Sequence, residues 1–525
     1  MKISKNIFIR LSALAFALVL SSCSDKLDSQ EGQLNTGDID YTDASQMVEP
    51  LIGAYSEISS LGWEEPLLLG VRGDDVNAGG LGDQPLYAET DLFNYNKDFW
   101  MYNQVWNSHY NDVINMNTAI LQIENFMEFA NEADFERGQQ YVAEIQVIRA
   151  WLHLNLARTW EDIFIITSNQ PEAELEQGVA TKEEVMQFIS DQMDEAIPHL
   201  PDMRPNQRPD LTGGITRYTA YALKAMAQQE LQNYQGVADA TGAIISSGLF
   251  SLYPDFYQLF KKPGELSNES LWELQYSDYG TASGGEFYHN YDPFGPQNWT
   301  PARANASSGW GFYEPSMKFI GFMLDRNETV RLQTSVLFTP DGINAIRAEG
   351  YTVPGFVSNV TPSGDVINNY VRADFASGKH YLPSIQLTEG RNSYGGGKNF
   401  IIIRYAEILL MYAEALTRGA SGTAMTATEA VNLVRERADM PALSGVTTQD
   451  VLDEKFAELA MEWGIRYYDM IRLDNYNELS YDGRTFTAAD EYLPYPQAQV
   501  DALPLEATEV DRNTAMNNVL STLNR

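Results

Sequence analysis

Residues 399–476 set the strongest limit on the folds open to this sequence. The stretch opens NFIIIRYAEILLMYAEALTRG, turns, continues TATEAVNLVRERADMP and, after a second turn, reads VLDEKFAELAMEWGIRYYDMIRLDNY. Ile401, Tyr405, Ile408, Leu409, Tyr412 and Leu416 recur at three- and four-residue steps, the period of an amphipathic helix with one wide buried face. Gly419 and Gly422 stop that helix, and Thr426 followed by Glu429 predicts a capping box opening the next. Ala430, Leu433, Val434 and Ala438 form the facing stripe, and Pro441 closes it. Two such helices across a short Gly-rich turn make an antiparallel hairpin, and Ala406, Ala413, Ala415, Ala430 and Ala438 let the axes approach closely. A hairpin of about 34 residues with this alternation has the dimensions of a tetratricopeptide unit.

The third segment is read as one more helix, unusually charged for a core element. Glu462 precedes Arg466 by four residues and Asp469 precedes Arg472 by three, both spacings suited to helical ion pairs. Glu458 and Glu462 share a face about 5–6 Å apart at Cβ, and a glycosidase acid pair needs carboxylates about 5–9 Å apart. Adjacent arginines neutralise acids instead of raising their pKa, so an ion-pair ladder between helices is the expectation.

RYAEILLMYAEAL, AVNLVRERADMP and ELAMEWGIRYYDMIRL together resemble the signature helices of the SusD/RagB family, surface glycan-binding lipoproteins of Bacteroidetes. YLPYPQAQVDALP resembles the family's closing segment, an aromatic-Pro-x-Pro turn before a short helix. The resemblance implies a mainly α fold of tetratricopeptide-like hairpins with a large loop-rich insertion. It also implies a non-catalytic protein that caps a SusC-like TonB-dependent outer-membrane transporter and passes oligosaccharides into it.

The N-terminus agrees with export. Lys2, Lys5 and Arg10 precede the apolar run LSALAFALVL, which is too short to span a bilayer and suits a signal peptide. Leu20-Ser21-Ser22-Cys23 follows in the manner of a lipobox, and Cys23 is the only cysteine. Residues 1–22 are therefore read as signal peptide and 23–43 as a lipidated tether. Residues 44–525 are read as one SusD-like domain. Its helical scaffold covers 44–250 and 399–476, an aromatic loop region 251–398, and a C-terminal segment 477–525. The expected location is the outer membrane at the cell surface. The formal charge of -37 repels nucleic acid and anionic membrane and favours a neutral glycan, such as a β-glucan or a fructan.

Four further hairpin arms, in two pairs, are legible. YVAEIQVIRAWLHLNLARTW carries Ile145, Ile148, Leu152, Leu156 and Trp160 on one face, Thr181 and Glu184 predict a second capping box, and ITRYTAYALKAMAQQELQ precedes NYQGVADATGAIISSGLF. Asn111, Asn115 and Asn117 read as helix–helix hydrogen-bonding residues.

Candidate glycan contacts come from loops. Arg72, Asp74, Asp75 and Asn77 stand among glycines, where groups of both signs can take sugar hydroxyls. Calcium is conceivable there, but the spacing is not that of an EF-hand, and no cofactor is expected. Trp100 is read either as a sugar platform or as packing beneath that loop. Between Trp272 and Tyr313 lie eleven aromatics, about twice the chain-wide 12%, with Trp272 and Phe312 assigned to core. Tyr288, Tyr291, Trp299 and Trp310 are the candidates to stack on pyranose C–H faces, and Arg391 and Tyr394 on GRNSYGGGKN extend the set.

The five histidines lack metal-ligand spacing, and no nucleophile elbow, P-loop or dinucleotide fingerprint is present. Two rival readings stand beside the glycan-binding one: a secreted glycoside hydrolase on a helical scaffold, and a helical-repeat adaptor that binds only protein. If Cys23 carries the lipid, Cys23→Ala releases the protein from the outer-membrane fraction when the transporter is absent. Retention of that variant in washed outer membranes would refute the lipobox.

Overall fold

The computed structural model describes residues 39–59, 66–79, 83–277, 289–389, 396–503 and 505. The first half of the scaffold consists of α1 (Val48–Ser59), α2 (Pro85–Asp91), α3 (Trp100–Met127), α4 (Glu132–Trp160), α5 (Lys182–Ala196), α6 (Arg217–Glu230) and α7 (Tyr234–Ser246). From α3 onward each helix packs on the next, as in a stack of helical hairpins. After residues 251–398, which include the short helices α8 (Met317–Asp325) and α9 (Val330–Ser335), come α10 (Tyr405–Thr417), α11 (Ala427–Arg437), α12 (Thr448–Leu459), α13 (Ile465–Arg472) and α14 (Gln497–Ala502). The stack resumes across this gap, because α10 packs directly on α7 and then on α11 and α12. The fold is mainly helical, as the apolar periodicity indicates. Both expected capping boxes form: Thr181 and Glu184 open α5, and Thr426 and Glu429 open α11.

Among the described residues, eight strands form four separate antiparallel pairs. β2 (Ser270–Leu274) pairs with β8 (Phe400–Arg404), Ser270 opposite Arg404 and Leu274 opposite Phe400, so the insertion begins and ends on adjacent strands. β1 (Val76–Asn77) pairs with β4 (Glu314–Pro315), β3 (Trp299–Thr300) with β6 (Val366–Ile367), and β5 (Val336–Phe338) with β7 (Phe375–Ser377). Reading Ile401 as the start of a helix is thus corrected. The β-branched run Ile401–Ile403 prefers an extended conformation when a partner strand is present, and the helix begins at Tyr405.

The charged C-terminal segment is also two helices, not one. α12 ends at Leu459, and Met461, Trp463 and Gly464 take left-handed φ values of 66°, 47° and 69° before α13 starts. The turn is fixed from outside: the Met461 amide donates to the Asp75 carboxylate at 2.6 Å, and Trp463 Nε1 donates to the Ile401 carbonyl at 2.7 Å. The break separates Glu462 from Arg466, so their helical ion pair does not form, whereas Asp469 and Arg472 pair at 2.7 Å. Trp151 of α4 meets Trp272 of β2 at 5.2 Å and Trp463 at 5.7 Å between ring centroids, both edge-on. Scaffold, insertion and C-terminal turn share that aromatic junction.

Beneath it lies a buried ion network. Glu458 accepts from Arg404 Nη1 at 2.5 Å and from Arg437, and Arg331 Nη1 stands 3.4 Å away. Glu454 accepts from Arg331 at 2.6 Å, Arg326 at 2.7 Å and Arg435 at 2.8 Å. Glu462 binds Lys379 Nζ at 2.6 Å and Arg404 Nε at 2.7 Å. Burial alone would raise the Glu458 pKa, but Arg437, Arg404 and Arg331 outweigh it and hold the carboxyl down at about 2. A depressed carboxylate contributes stability that is present above its unfolded value and lost as pH falls through the folded one. Stability therefore falls between about pH 4.5 and pH 2, with Glu458 accounting for roughly 3 kcal/mol of the loss. Urea titrations across that window test it. Glu458→Gln starts less stable at pH 7 and shows a shallower decline, and an unchanged slope would refute the assignment.

Candidate functional site

The polar loop that sequence reasoning offered as a sugar clamp is an internal fastening. Arg72, Asp74 and Asp75 are 0%, 0% and 1% exposed. Asp74 takes Arg466 in a two-pronged pair, Nε to Oδ1 at 2.6 Å and Nη2 to Oδ2 at 2.8 Å, with Lys318 Nζ at 2.8 Å from Oδ2. Burial would lift this carboxyl, but Arg466 and Lys318 outweigh it and keep its pKa below the ordinary value. Asp75 lacks a directly paired cation; burial pushes it up to about 6 against the pull of the Met461 amide. Arg72 donates to the carbonyls of Leu69 and Glu491 and to the Tyr467 hydroxyl, its guanidinium 4.3 Å from the Tyr467 ring centre. Asn77, half-buried, accepts from the Tyr481 hydroxyl at 3.0 Å. Three of these four side chains thus have no surface to offer a ligand, because a turn flanked by α13 and the C-terminal segment covers them.

Two of the aromatic candidates are also structural. Tyr291 is buried, its hydroxyl donating to the Asn399 carbonyl at 2.7 Å and its ring 4.5 Å from Phe400. Trp299 is 8% exposed, donates Nε1 to the Ser307 carbonyl at 3.0 Å and stands edge-on to Tyr381. Tyr288, Arg391, Tyr394 and Cys23 lie outside the described residues.

Trp100 and Trp310 keep open surface. Trp310 is half-buried on a strand-like segment held against residues 292–296: its amide donates to the Asp292 carbonyl, Gly311 to Gly295 and Phe312 to Pro293. Gly311 has φ 79°, and a methyl added there would lie 2.9 Å from the Tyr370 ring, so the chain passes Tyr370 only because this residue is glycine. Beside it Tyr370 is half-buried and Val371 is 80% exposed. Arg372 lies 4.0 Å from the Phe312 ring centre and pairs with both carboxylate oxygens of Asp83, which remains exposed. The β3–β6 ribbon adds exposed Asn298, Thr300 and Asn369, with Asn368 donating to Thr300 Oγ1 at 3.0 Å. Tyr370, Val371 and Asp83 were not singled out from sequence, since they fall outside the densest aromatic stretch. The alternation in NNYVRADF was the only local signal.

Trp100, 41% exposed, is the first residue of α3, with buried Phe99 behind it at 5.9 Å. Phe99 packs on Tyr102, Tyr102 meets Thr90 of α2 at 2.6 Å, and Tyr87 of α2 meets Phe312 at 5.7 Å. A continuous packed path through α2 therefore joins the two open tryptophans. Trp100 rests edge-on against Phe99, the backbone of Trp310 is pinned to residues 292–296, and exposed amides, hydroxyls and a carboxylate lie on the neighbouring segments. Such a surface can stack on apolar ring faces and exchange hydrogen bonds with hydroxyls.

Hydrolytic chemistry finds no support at Glu458 and Glu462, which are engaged by arginine and lysine inside the protein. Among the described residues, no cluster of three His, Cys, Asp or Glu side chains is arranged to hold a metal ion.

The profile described as "SusD family" matches residues 268–520, and one described as "Starch-binding associating with outer membrane" matches 86–226. "SusD-like protein P2" of Formosa agariphila is 25% identical across 96% of this chain and 97% of its own. A "SusD-like protein" of Bacteroides ovatus is 22% identical across 78% and 80%. Among solved structures, surface glycan-binding protein A from Bacteroides thetaiotaomicron in complex with laminarihexaose superposes with a TM-score of 0.70 at 22% identity, covering 87% of this chain and 97% of that one. A laminarin binding SusD-like protein gives 0.71 at 20% identity, covering 87% and 97%.

Asp74→Ala discriminates fastening from ligand contact. Removing one partner of a buried ion pair costs about 3–5 kcal/mol, so chemical denaturation should show a loss of that order. Any glycan that the parent binds should be bound by the folded fraction with unchanged affinity. Wild-type stability together with lost binding would reverse the assignment.

Proposed function

Because the chain belongs to the SusD family, we propose that it binds glycan at the cell surface and hands it to a SusC-like TonB-dependent outer-membrane transporter, without cleaving it. The observation that carries this reading is the half-open Trp310, backed by a rigid turn and flanked by Tyr370, Val371 and exposed amides. Trp100 supplies a second open indole. The ligand class follows from charge and from the neighbours. With a formal charge of -37, the protein disfavours long anionic chains, and the solved neighbours include a laminarihexaose complex. A neutral β-glucan is the substrate class this supports. Stacking on C–H faces supplies most of the affinity, and Asn298, Thr300 and Asn369 select hydroxyl positions.

Association with the outer membrane accords with the description of the N-terminal family match. No helix among the described residues is long and apolar enough to cross a membrane, and in this reading the lipid on Cys23 supplies the attachment.

Calorimetry of the soluble protein with laminarihexaose tests the reading. Trp310→Ala and Trp100→Ala each weaken binding about tenfold or more where the ring stacks, by analogy with interface hot spots, and circular dichroism remains unchanged. Affinity changes little between low and high salt, since a neutral ligand gives salt nothing to screen. Wild-type affinity in both variants would move the face elsewhere, and a steep salt dependence would point to an anionic glycan.

A further inference from the structure

Between α3, α4 and α5 lies an open cleft of about 450 Å³, which residues 167–169 also line. Arg149 of α4 lines it and is 5% exposed, yet it forms no ion pair. Its one side-chain hydrogen bond runs from Nη1 to Asn117 Oδ1 at 2.5 Å. Asn117 is itself held by donating to the Ile166 and Ser168 carbonyls, so the guanidinium is locked in orientation. Its Nε is buried and donates to nothing. Across the cleft Gln192 of α5, 7% exposed, has a buried Oε1 that accepts nothing. Buried polar groups are normally satisfied, and each one left without a partner costs free energy. Most other buried guanidinium groups in this protein are matched to carboxylates, as at Arg331, Arg404 and Arg466, and Arg72, which is not, is held by two carbonyls and the Tyr467 hydroxyl.

The acids around Arg149 do not fill the gap. Glu174 is committed to the Thr167 and Ser168 amides and the Thr167 hydroxyl, while Glu124 and Glu195 stand exposed on the rim. Burial pulls the guanidinium down to about 10 against the field of Glu174, Glu195 and Glu124, which leaves it charged at neutral pH.

We propose that this cleft is a second binding site, independent of the glycan face, for a small carboxylate that carries hydroxyl or ammonium donors beside its acid group. Nη2 of Arg149 is neither bonded nor sealed and can meet a carboxylate from the cleft, and a small side-chain shift opens the adjoining buried Nε to the second oxygen, giving the bidentate pairing that arginine favours. Gln192 Oε1 and the rim carboxylates are acceptors, so they require donors on the neighbouring carbons. The same rim repels dianions and polyanions, which limits the ligand to one net negative charge or to a zwitterion. Sugar acids and amino acids share this chemistry.

Calorimetry or ligand-observed NMR on the purified protein, with sodium D-glucuronate, L-serine and uncharged D-glucose as probes, distinguishes the outcomes. Glucuronate or L-serine binds with a dissociation constant of about a millimolar or tighter, and glucose does not. Glucuronate alone identifies a sugar-acid site, and L-serine alone an amino-acid site. Arg149→Met and Gln192→Leu each weaken the binding about tenfold or more, without the melting-temperature loss that follows removal of a paired charge. Trp310→Ala leaves this binding intact, so failure of the glycan reading and failure of this one are separate results. Absence of binding by both carboxylates at about ten millimolar, or wild-type affinity in both variants, overturns the proposal. Should Arg149→Met fold poorly, Gln192→Leu decides alone.

Discussion

Arg404 sits where everything else in the molecule has to agree. It is the last residue of β8, immediately before α10, and its guanidinium reaches Glu458 of α12, Glu462 in the turn beyond, and Glu269 just before β2. Each carboxylate is shared onward, Glu269 and Glu458 with Arg437 and Glu462 with Lys379. A charge removed from water at this depth is tolerable only if its partners arrive in register. Helix, strand, turn and insertion must therefore be placed together, and an alternative docking of any one would strand a charge. Burying ion pairs in place of apolar side chains adds little net stability, so the greater contribution of such a network is to specificity of arrangement.

The helical scaffold was legible in sequence because it depends on local rules. Period, caps and stops act within a few residues, and the capping boxes at Thr181 and Thr426 form where those rules put them. The two misreadings lie where distant chain decides. Ile401–Ile403 satisfies a helical period as well as a strand, and only the presence of β2 selects the strand. The break after Leu459 answers to Asp75, a residue hundreds of positions earlier.

The candidate site was harder to read for the same reason. Arg72, Asp74 and Asp75 among glycines look like an exposed loop, and nothing nearby in sequence reveals that Arg466, 392 positions away, closes over Asp74. Aromatic density located the right region but could not separate rings used as struts, such as Tyr291 and Trp299, from a ring left open, such as Trp310. Composition reports how much aromatic surface exists; topology decides which of it meets solvent.

The β2–β8 ribbon gives the insertion an independence that bears on how such proteins diversify. With Ser270 fixed opposite Arg404, the path between them leaves and re-enters the scaffold at one doorway. Lengthening a closed excursion is inexpensive, about 0.6 kcal/mol for each doubling of a flexible loop. Its surface contents can thus be rewritten while the helical stack outside keeps its register, provided that Arg326, Arg331 and Lys379 stay in place to neutralise Glu454, Glu458 and Glu462. The doorway turns a rigid repeat protein into a frame for exchangeable cassettes, and a lineage carrying it can change what it recognises without relearning how to fold.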